Sequence, residues 1–312
     1  MASSVDPKRL IELLRIADRG SFTRAAAVLG VSQPALSNSM AVLERMLGVR
    51  VFERTRNGAA LNEFGRLLAG HAAAIDSVLS RAVEELEAKK RGLEGSLVVG
   101  ASPIACIDIV PGAVARLKRE TPNIVVSIEE RADDELIAGL RSGEIDLVVN
   151  SAGLLADEPD VVSETLAHDV FVVAMRRSHR LASKKSLLIG ELRDEQWVMP
   201  SPHTTMSRQI ELLFSAENQP WPSQAIITNS ITALKSIIIR SDCVTILSKK
   251  LMRLEIEALR LACVPMRKQH FTREICLRRR REPRSPLVER FIAAIRAAAM
   301  EADGPRAASR RR

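Results

Sequence analysis

SFTRAAAVLG (residues 21–30) followed by VSQPALSNSMAVLERMLG (residues 31–48) decides how this chain is read. Ala25, Ala26 and Ala27 suit a helix whose neighbours approach closely, Thr23 is placed to cap it, and Gly30 supplies the left-handed residue that ends it. Only Gly30, Val31 and Ser32 intervene before Ser32 caps a second helix. That helix carries Pro34 in its first turn, where a missing N–H costs nothing. Its apolar stripe is Leu36, Met40, Leu43 and Leu47, which leaves Pro34, Ser37, Asn38 and Ala41 facing outward. Before both lies another helix, with Leu10, Leu13, Leu14 and Ala17 at helical spacing after Pro7 and Gly20 as its stop.

A helix, a short turn containing Gly, and a second helix with small and amide side chains near its N-terminus make a helix-turn-helix. Gln33 and Asn38 would offer amide pairs to adenine edges, while Ser37 and the helix N-terminus hold base edges or phosphate. The plainer alternative is a helical hairpin with a solvated polar face. After Gly48, Val51 to Arg54 and Ala60 to Asn62 read as two short strands around a turn at Asn57-Gly58, a wing. Arg54 and Arg56 would project toward the DNA backbone or a narrow minor groove, or simply stand solvated on a hairpin.

These residues also carry a resemblance. Ser21 to Ala26, Leu29, Val31 to Ser37, Leu43-Glu44, Leu47-Gly48 and Phe52-Glu53-Arg54 closely resemble the DNA-binding domain of LysR-type transcription regulators. The resemblance implies DNA contacts from Thr23, Arg24, Ser32, Gln33, Pro34, Ala35, Ser37, Asn38, Arg54 and Arg56. One departure is Asn62, where the family usually has Thr; both cap a following helix.

The charge distribution agrees. Of the net +8, residues 1–91 hold 14 Lys and Arg against 10 Asp and Glu, and the last ten hold four Arg against Asp303, which leaves the middle nearly neutral. Polyanion binding needs local charge, so a basic front on a neutral body fits a DNA-binding module attached to something else. With no Tyr and only 3% aromatic residues, stacking recognition of single strands is disfavoured and duplex DNA favoured.

From Glu63 to about Lys90 no Pro occurs, and one long helix is expected. Leu68, Ala72, Ile75, Leu79, Ala82 and Leu86 form a heptad seam that needs a partner, either a second chain or the helix's own domain. The family resemblance implies a homodimer or homotetramer on an imperfect palindromic operator, with contact to RNA polymerase.

Beyond residue 92 the pattern becomes alternating strands and helices, read as a parallel sheet covered on both faces and arranged in two lobes. The fold class expected is α+β multidomain: a winged helix-turn-helix (1–62), a linker helix (63–91), a two-lobed α/β effector-binding domain (92–302) and a basic tail (303–312) without fixed structure. Arg141 to Leu147 resembles a turn and strand of the family's periplasmic-binding-protein-like domain. By that resemblance a cleft is lined by Ser102, Pro103, Asp133, Ser201, His203, Thr204, Thr205 and Asn229 with Ser230, and takes a carboxylated small-molecule inducer near the helix start at Thr204. Ser and Thr before helices are more often only caps, and His203 is most simply a surface histidine. Asp133 stands where a neutral residue is common in the family, and would repel an acidic ligand or select a cationic or hydroxylated one. Ser241-Asp242 replaces a Gly-rich turn in the pocket wall. Arg278 to Arg281 reads as the solvated face of an edge strand, and the Arg-rich tail would add non-specific DNA affinity.

Other classes are poorly served. No GxSxG, HExxH or Gly-rich phosphate loop appears, so no enzyme, cofactor or metal site is expected. Cys106, Cys243, Cys263 and Cys276 lack metal spacing, and residues 196–225, where a redox pair would sit, hold no cysteine. A redox-controlled or ligand-independent regulator remains the alternative. No secretory leader or charge-free run of membrane length is seen, so a cytoplasmic location is expected.

Overall fold

The computed structural model describes residues 5–55, 58–90, 92–151, 160–202, 204–267, 272–281 and 285–303. Arg56, Asn57, His203 and the tail from residue 304 lie outside the described residues, as does the side chain of Arg54. The chain divides into two compact units: residues up to 96 with 138–145, and 97–137 with 146 onward.

In the first unit α1 (Pro7–Arg19), α2 (Phe22–Leu29) and α3 (Gln33–Leu47) precede a hairpin of β1 (Phe52–Thr55) and β2 (Gly58–Leu61), then α4 (Glu63–Lys90). Gly30 ends α2 at φ 67°, a left-handed conformation that a Cβ would penalise. The axes of α2 and α3 meet at 105°, the angle of a helix-turn-helix. Leu36, Met40 and Leu43 are buried with Leu10, Leu13, Ile16, Ala25 and Ala26, each large side chain contributing roughly 1.5–3 kcal/mol. The cap of α2 differs from expectation. Ser21, in extended conformation, accepts the Arg24 N–H, and Thr23 is already helical. A cap residue must itself be non-helical, and the turn at Gly20 puts Ser21 at that point.

The seam on α4 splits in two. Leu68, Ala72 and Ile75 pack into the core of the first unit, so the helix does lie on its own domain there. Leu79 and Leu86, with Val78 and Val83 beside them, are exposed.

From Gly95 onward the order is β3 (Gly95–Ala101), α5 (Ile109–Glu120), β4 (Ile124–Glu130), α6 (Asp133–Ser142), β5 (Leu147–Ser151), β6 (Val161–Arg176), β7 (Trp197–Pro200), α7 (Thr205–Ala216), β8 (Ala225–Thr228), α8 (Ile231–Arg240), β9 (Thr245–Ser248), α9 (Arg253–Glu257), β10 (Leu261–Pro265), β11 (Thr272–Arg280) and α10 (Pro286–Asp303). One sheet runs β10-β6-β11-β5-β3-β4, with β9 also on β6, and β7 pairs with β8. The two lobes are joined by β6: its first residues pair with β11, its last with β9 and β10.

The expected all-parallel sheet is therefore corrected to a mixed one. The β3/β5 and β7/β8 pairs are parallel, but β11 is antiparallel to both β5 and β6. The chain returns from the second lobe through β11, which enters between strands of the first. For the same reason the arginine run is not on an edge: β11 is interior, and Arg278 is buried. Ser241 and Asp242 turn at the end of α8, where Asp242 accepts from Arg176 at 2.8 Å. Among the described residues no single helix is long and apolar enough to cross a membrane.

The joint between α3, the hairpin and α4 is the tightest part of the first unit. The Val51 N–H donates to Glu44 Oε1 at 2.8 Å, Phe22 and Phe52 meet edge to face at 5.3 Å, and Asn62 Oδ1 accepts the Gly65 N–H at 2.9 Å as the cap of α4. A Cβ on Gly65 would lie 2.1 Å from the Val51 carbonyl oxygen, so only glycine fits. Gly65→Ala is expected to cost this unit about 1–3 kcal/mol. Both tryptophans lie in the second unit. Urea unfolding of the full chain should accordingly show an earlier far-ultraviolet circular dichroism component with the tryptophan transition unmoved; unchanged traces from both probes would contradict the packing argument.

Candidate functional sites

The polar edge of α3 is built by its stripe. With Leu36, Met40 and Leu43 inward, Ser32, Gln33, Pro34, Ala35 and Asn38 are exposed and Ser37 is half-buried. Ser32 forms the cap, accepting the Ala35 N–H at 3.3 Å. Gln33 Nε2 donates to Ser37 Oγ at 2.8 Å, which holds the amide one turn along the helix. Thr23 and Arg24 are exposed on α2. The sequence-derived residues of the first unit's helices thus lie on α2, on α3 or at the α3 cap, and all but Ser37 are exposed. For Arg54, only its place in β1 opposite Ala59 is described.

The second site is a cleft of about 680 Å³ between the lobes of the second unit, within the size range of small-molecule sites. Its walls are the segments that follow β3, β4, β7 and β8 together with Ser151 at the end of β5, the carboxyl ends of the strands, where open α/β sheets bind ligands. Ser102, Pro103, Asp133, Ser201, Thr204, Thr205 and Asn229 all line it, as expected from the sequence. Their roles differ. Thr204 caps α7, accepting the Ser207 N–H at 3.1 Å and donating to the Ser201 carbonyl at 3.0 Å. Ser102 is buried, and among the described residues its hydroxyl has no hydrogen-bond partner. Asp133 Oδ1 accepts from Asn150 Nδ2 at 2.8 Å.

Sequence reading missed the charged floor of this cleft. Arg273 on β11, Gln209 and Arg208 on α7, and Arg131 after β4 line it too. Arg273 is 5% exposed; its Nη1 donates to Gln209 Oε1 at 3.1 Å, and its guanidinium lies 5.7 Å from the Phe171 ring centre. Burial lowers its proton affinity, which the charges of Asp169 and Asp133 oppose. A signal existed: Arg273 stands two residues before the buried Ile275, in phase with the inward face of a strand.

The thiols are shielded. Cys106 and Cys263 are each pushed up to about 11, chiefly by burial, and Cys243 and Cys276 are buried. Among the described residues no group of three or more His, Cys, Asp or Glu is placed to hold a metal.

Two family models match. "LysR substrate binding domain" covers residues 90–300, and "Bacterial regulatory helix-turn-helix protein, lysR family" covers residues 8–66. The chain belongs to the LysR family. It is a DNA-binding transcription regulator and not an enzyme. GbpR of Azospirillum brasilense is 28% identical over 280 residues, 88% of this chain and 81% of GbpR. The uncharacterised regulator YdcI of Escherichia coli K12 is 30% identical over 244 residues, 76% of this chain and 77% of YdcI. Among solved structures, full-length CbnR complexed with its target DNA aligns at a TM-score of 0.63 and 22% identity, covering 94% of this chain and 100% of that one. A full-length single-residue variant of OxyR from Pseudomonas aeruginosa aligns at 0.62 and 22%, covering 95% of each. These likenesses establish the LysR-type fold.

A thiol with a pKa of about 11 is only about one thousandth thiolate at pH 8, and thiolate is the reactive form. Iodoacetamide labelling of Cys106 and Cys263 in the folded regulator should therefore be slow at pH 8 and rise about tenfold per pH unit up to the pKa. Fast labelling at pH 7, followed by mass spectrometry, would contradict their shielding.

Proposed function

We propose that this LysR regulator binds an imperfect palindromic operator through the polar edge of α3 and is controlled by a small carboxylated metabolite in the interlobe cleft. The observation that carries the reading is the cleft itself: about 680 Å³, at the carboxyl ends of five strands, with three arginines in its wall. Domain boundaries at 62 and 91, with the tail beginning at 303, belong to the same reading. Ligand that closes the lobes would shift a pre-existing equilibrium and so alter how linked copies bend DNA and meet RNA polymerase.

In this reading Gln33 and Asn38 address base edges, Ser37 and the α3 N-terminus address bases or phosphate, and Thr23, Arg24, Arg54 and Arg56 address the backbone. The exposed half of the α4 seam, Leu79 to Leu86, supports a homodimer, because an apolar stripe on a charged helix is most readily buried by a second copy. A homotetramer and a cytoplasmic location complete the proposal. Redox control is not favoured: the cysteines are shielded, and α7 carries none.

Gln33→Ala with Ser37→Ala should lower the ratio of specific to non-specific DNA affinity by tenfold or more, since a bidentate base contact contributes roughly 1–3 kcal/mol. Operator affinity unaltered by the double change, measured at fixed salt, would remove α3 from the groove. For the cleft, carboxylated metabolites are screened by thermal shift against the full-length protein. At a hundred times its Kd a ligand stabilises the fold that binds it by about 2.7 kcal/mol, a rise of several degrees that should be accompanied by an altered operator footprint. A broad panel that produces neither would refute the effector reading.

A further inference from the structure

The floor of the cleft holds a buried guanidinium whose hydrogen-bonding capacity is not filled among the described residues. Arg273 is buried, yet among the described residues no carboxylate forms an ion pair with it. Asp169 stands opposite it across the β6/β11 pair and is the carboxylate whose charge acts on it most strongly, but the carboxylate oxygens are held by other donors. It accepts from the Ser248 hydroxyl, from the Val170 N–H at 2.9 Å and from the Lys250 N–H at 3.2 Å. The Arg273 guanidinium hydrogen-bonds the Gln209 carboxamide and lies over the Phe171 ring, and among the described residues its Nε–H has no acceptor. A buried donor left without an acceptor costs free energy, which a ligand that supplies the acceptor recovers. Arginine stays protonated under such burial, so neutralisation offers no escape. Its two fixed contacts also aim the head group before any ligand arrives, which lowers the entropy lost on binding.

The opposite charge stands in the same cleft. Asp133 lies in the first turn of α6, across the cleft from α7 in the lobe that carries β4 and β5, and one of its oxygens is occupied by Asn150. Its charge reaches Arg273 without pairing with it. An anion placed against Asp133 would be repelled, whereas a hydroxyl or ammonium group would be accepted. Among the other lining groups, the buried Ser102 hydroxyl has no hydrogen-bond partner among the described residues.

We propose that Arg273, oriented by Gln209 and Phe171, is the anion latch of the cleft, and that Asp133 requires a hydrogen-bond donor at the ligand's other end. This makes the effector a hydroxy- or amino-carboxylate. The inference rests on the reading of the cleft as the effector site.

The test uses the full-length protein and three small probes: glycolate, glycolamide and propionate. Binding is followed by the fluorescence of Trp197 and Trp221, which flank Phe214 of α7 at 5.3 Å and 5.4 Å between ring centres. Glycolate should saturate, glycolamide should bind at least tenfold more weakly for want of charge, and propionate at least threefold more weakly for want of a donor. Arg273→Met should abolish the preference for glycolate over glycolamide. Should that variant fold poorly, Arg273→Lys keeps the charge but not the fork, and should retain the preference at reduced affinity. Asp133→Ala should bind glycolate and propionate equally. The latch is overturned if wild type binds none of the probes, if it binds glycolamide as well as glycolate, or if Arg273→Met binds glycolate unchanged. A metabolite that stabilises wild type and Arg273→Met equally would sink the latch and leave the effector cleft standing; a screen with no ligand at all sinks both.

Discussion

The effector-binding unit depends on one strand belonging to two lobes. β6 runs without a break from Val161 to Arg176, pairing with β11 over its first residues and with β9 and β10 over its last. Side chains alternate along a strand, so Val172 and Ala174 enter one core while Phe171, Val173 and Met175 enter the other. Shifting β6 by one residue would exchange these sets between the two cores and mispack both. The cleft is therefore no gap left between loosely tethered bodies. Its two walls are registered on a common backbone, and any motion that opens it must bend or twist that strand.

The first unit solves a different problem, presenting small polar groups on a fixed edge. A reading helix has few residues with which to hold itself in place, since its outward face is reserved for contact. Here position is imposed from behind and from the end. Leu36, Met40 and Leu43 anchor the buried stripe, Glu44 ties the helix to the start of the wing, and the close approach of Gly65 to Val51 seats α4 against both. The Gln33 to Ser37 hydrogen bond restricts a side chain that would otherwise lose rotamer freedom on binding.

Both units leave interactions unmade at their surfaces and in the cleft. Exposed Leu79, Val83 and Leu86 on α4 carry apolar area that a single copy leaves in water. The cleft buries a guanidinium and a serine hydroxyl whose hydrogen-bonding capacity the protein does not fill. Neither feature is satisfied by packing among the described residues of one chain.

By itself the sequence determined the helices of the DNA-binding unit, the long α4, the βα alternation and the residues around the cleft mouth. These rest on signals carried by near neighbours: a stripe such as Leu36, Met40 and Leu43, a left-handed glycine, a Ser or Thr before an apolar run. It left open whatever depends on a partner far along the chain. Whether Ser21 or Thr23 caps α2 turned on where the backbone leaves extended conformation after Gly20. That β11 slots antiparallel between β5 and β6, which makes the sheet mixed and buries Arg278, follows from a return path through the whole second lobe that no local pattern records. Only the tertiary structure put Arg273 in the cleft floor beside Gln209, 64 residues away in the sequence, because a side chain's environment is set by what folds over it and not by what precedes it.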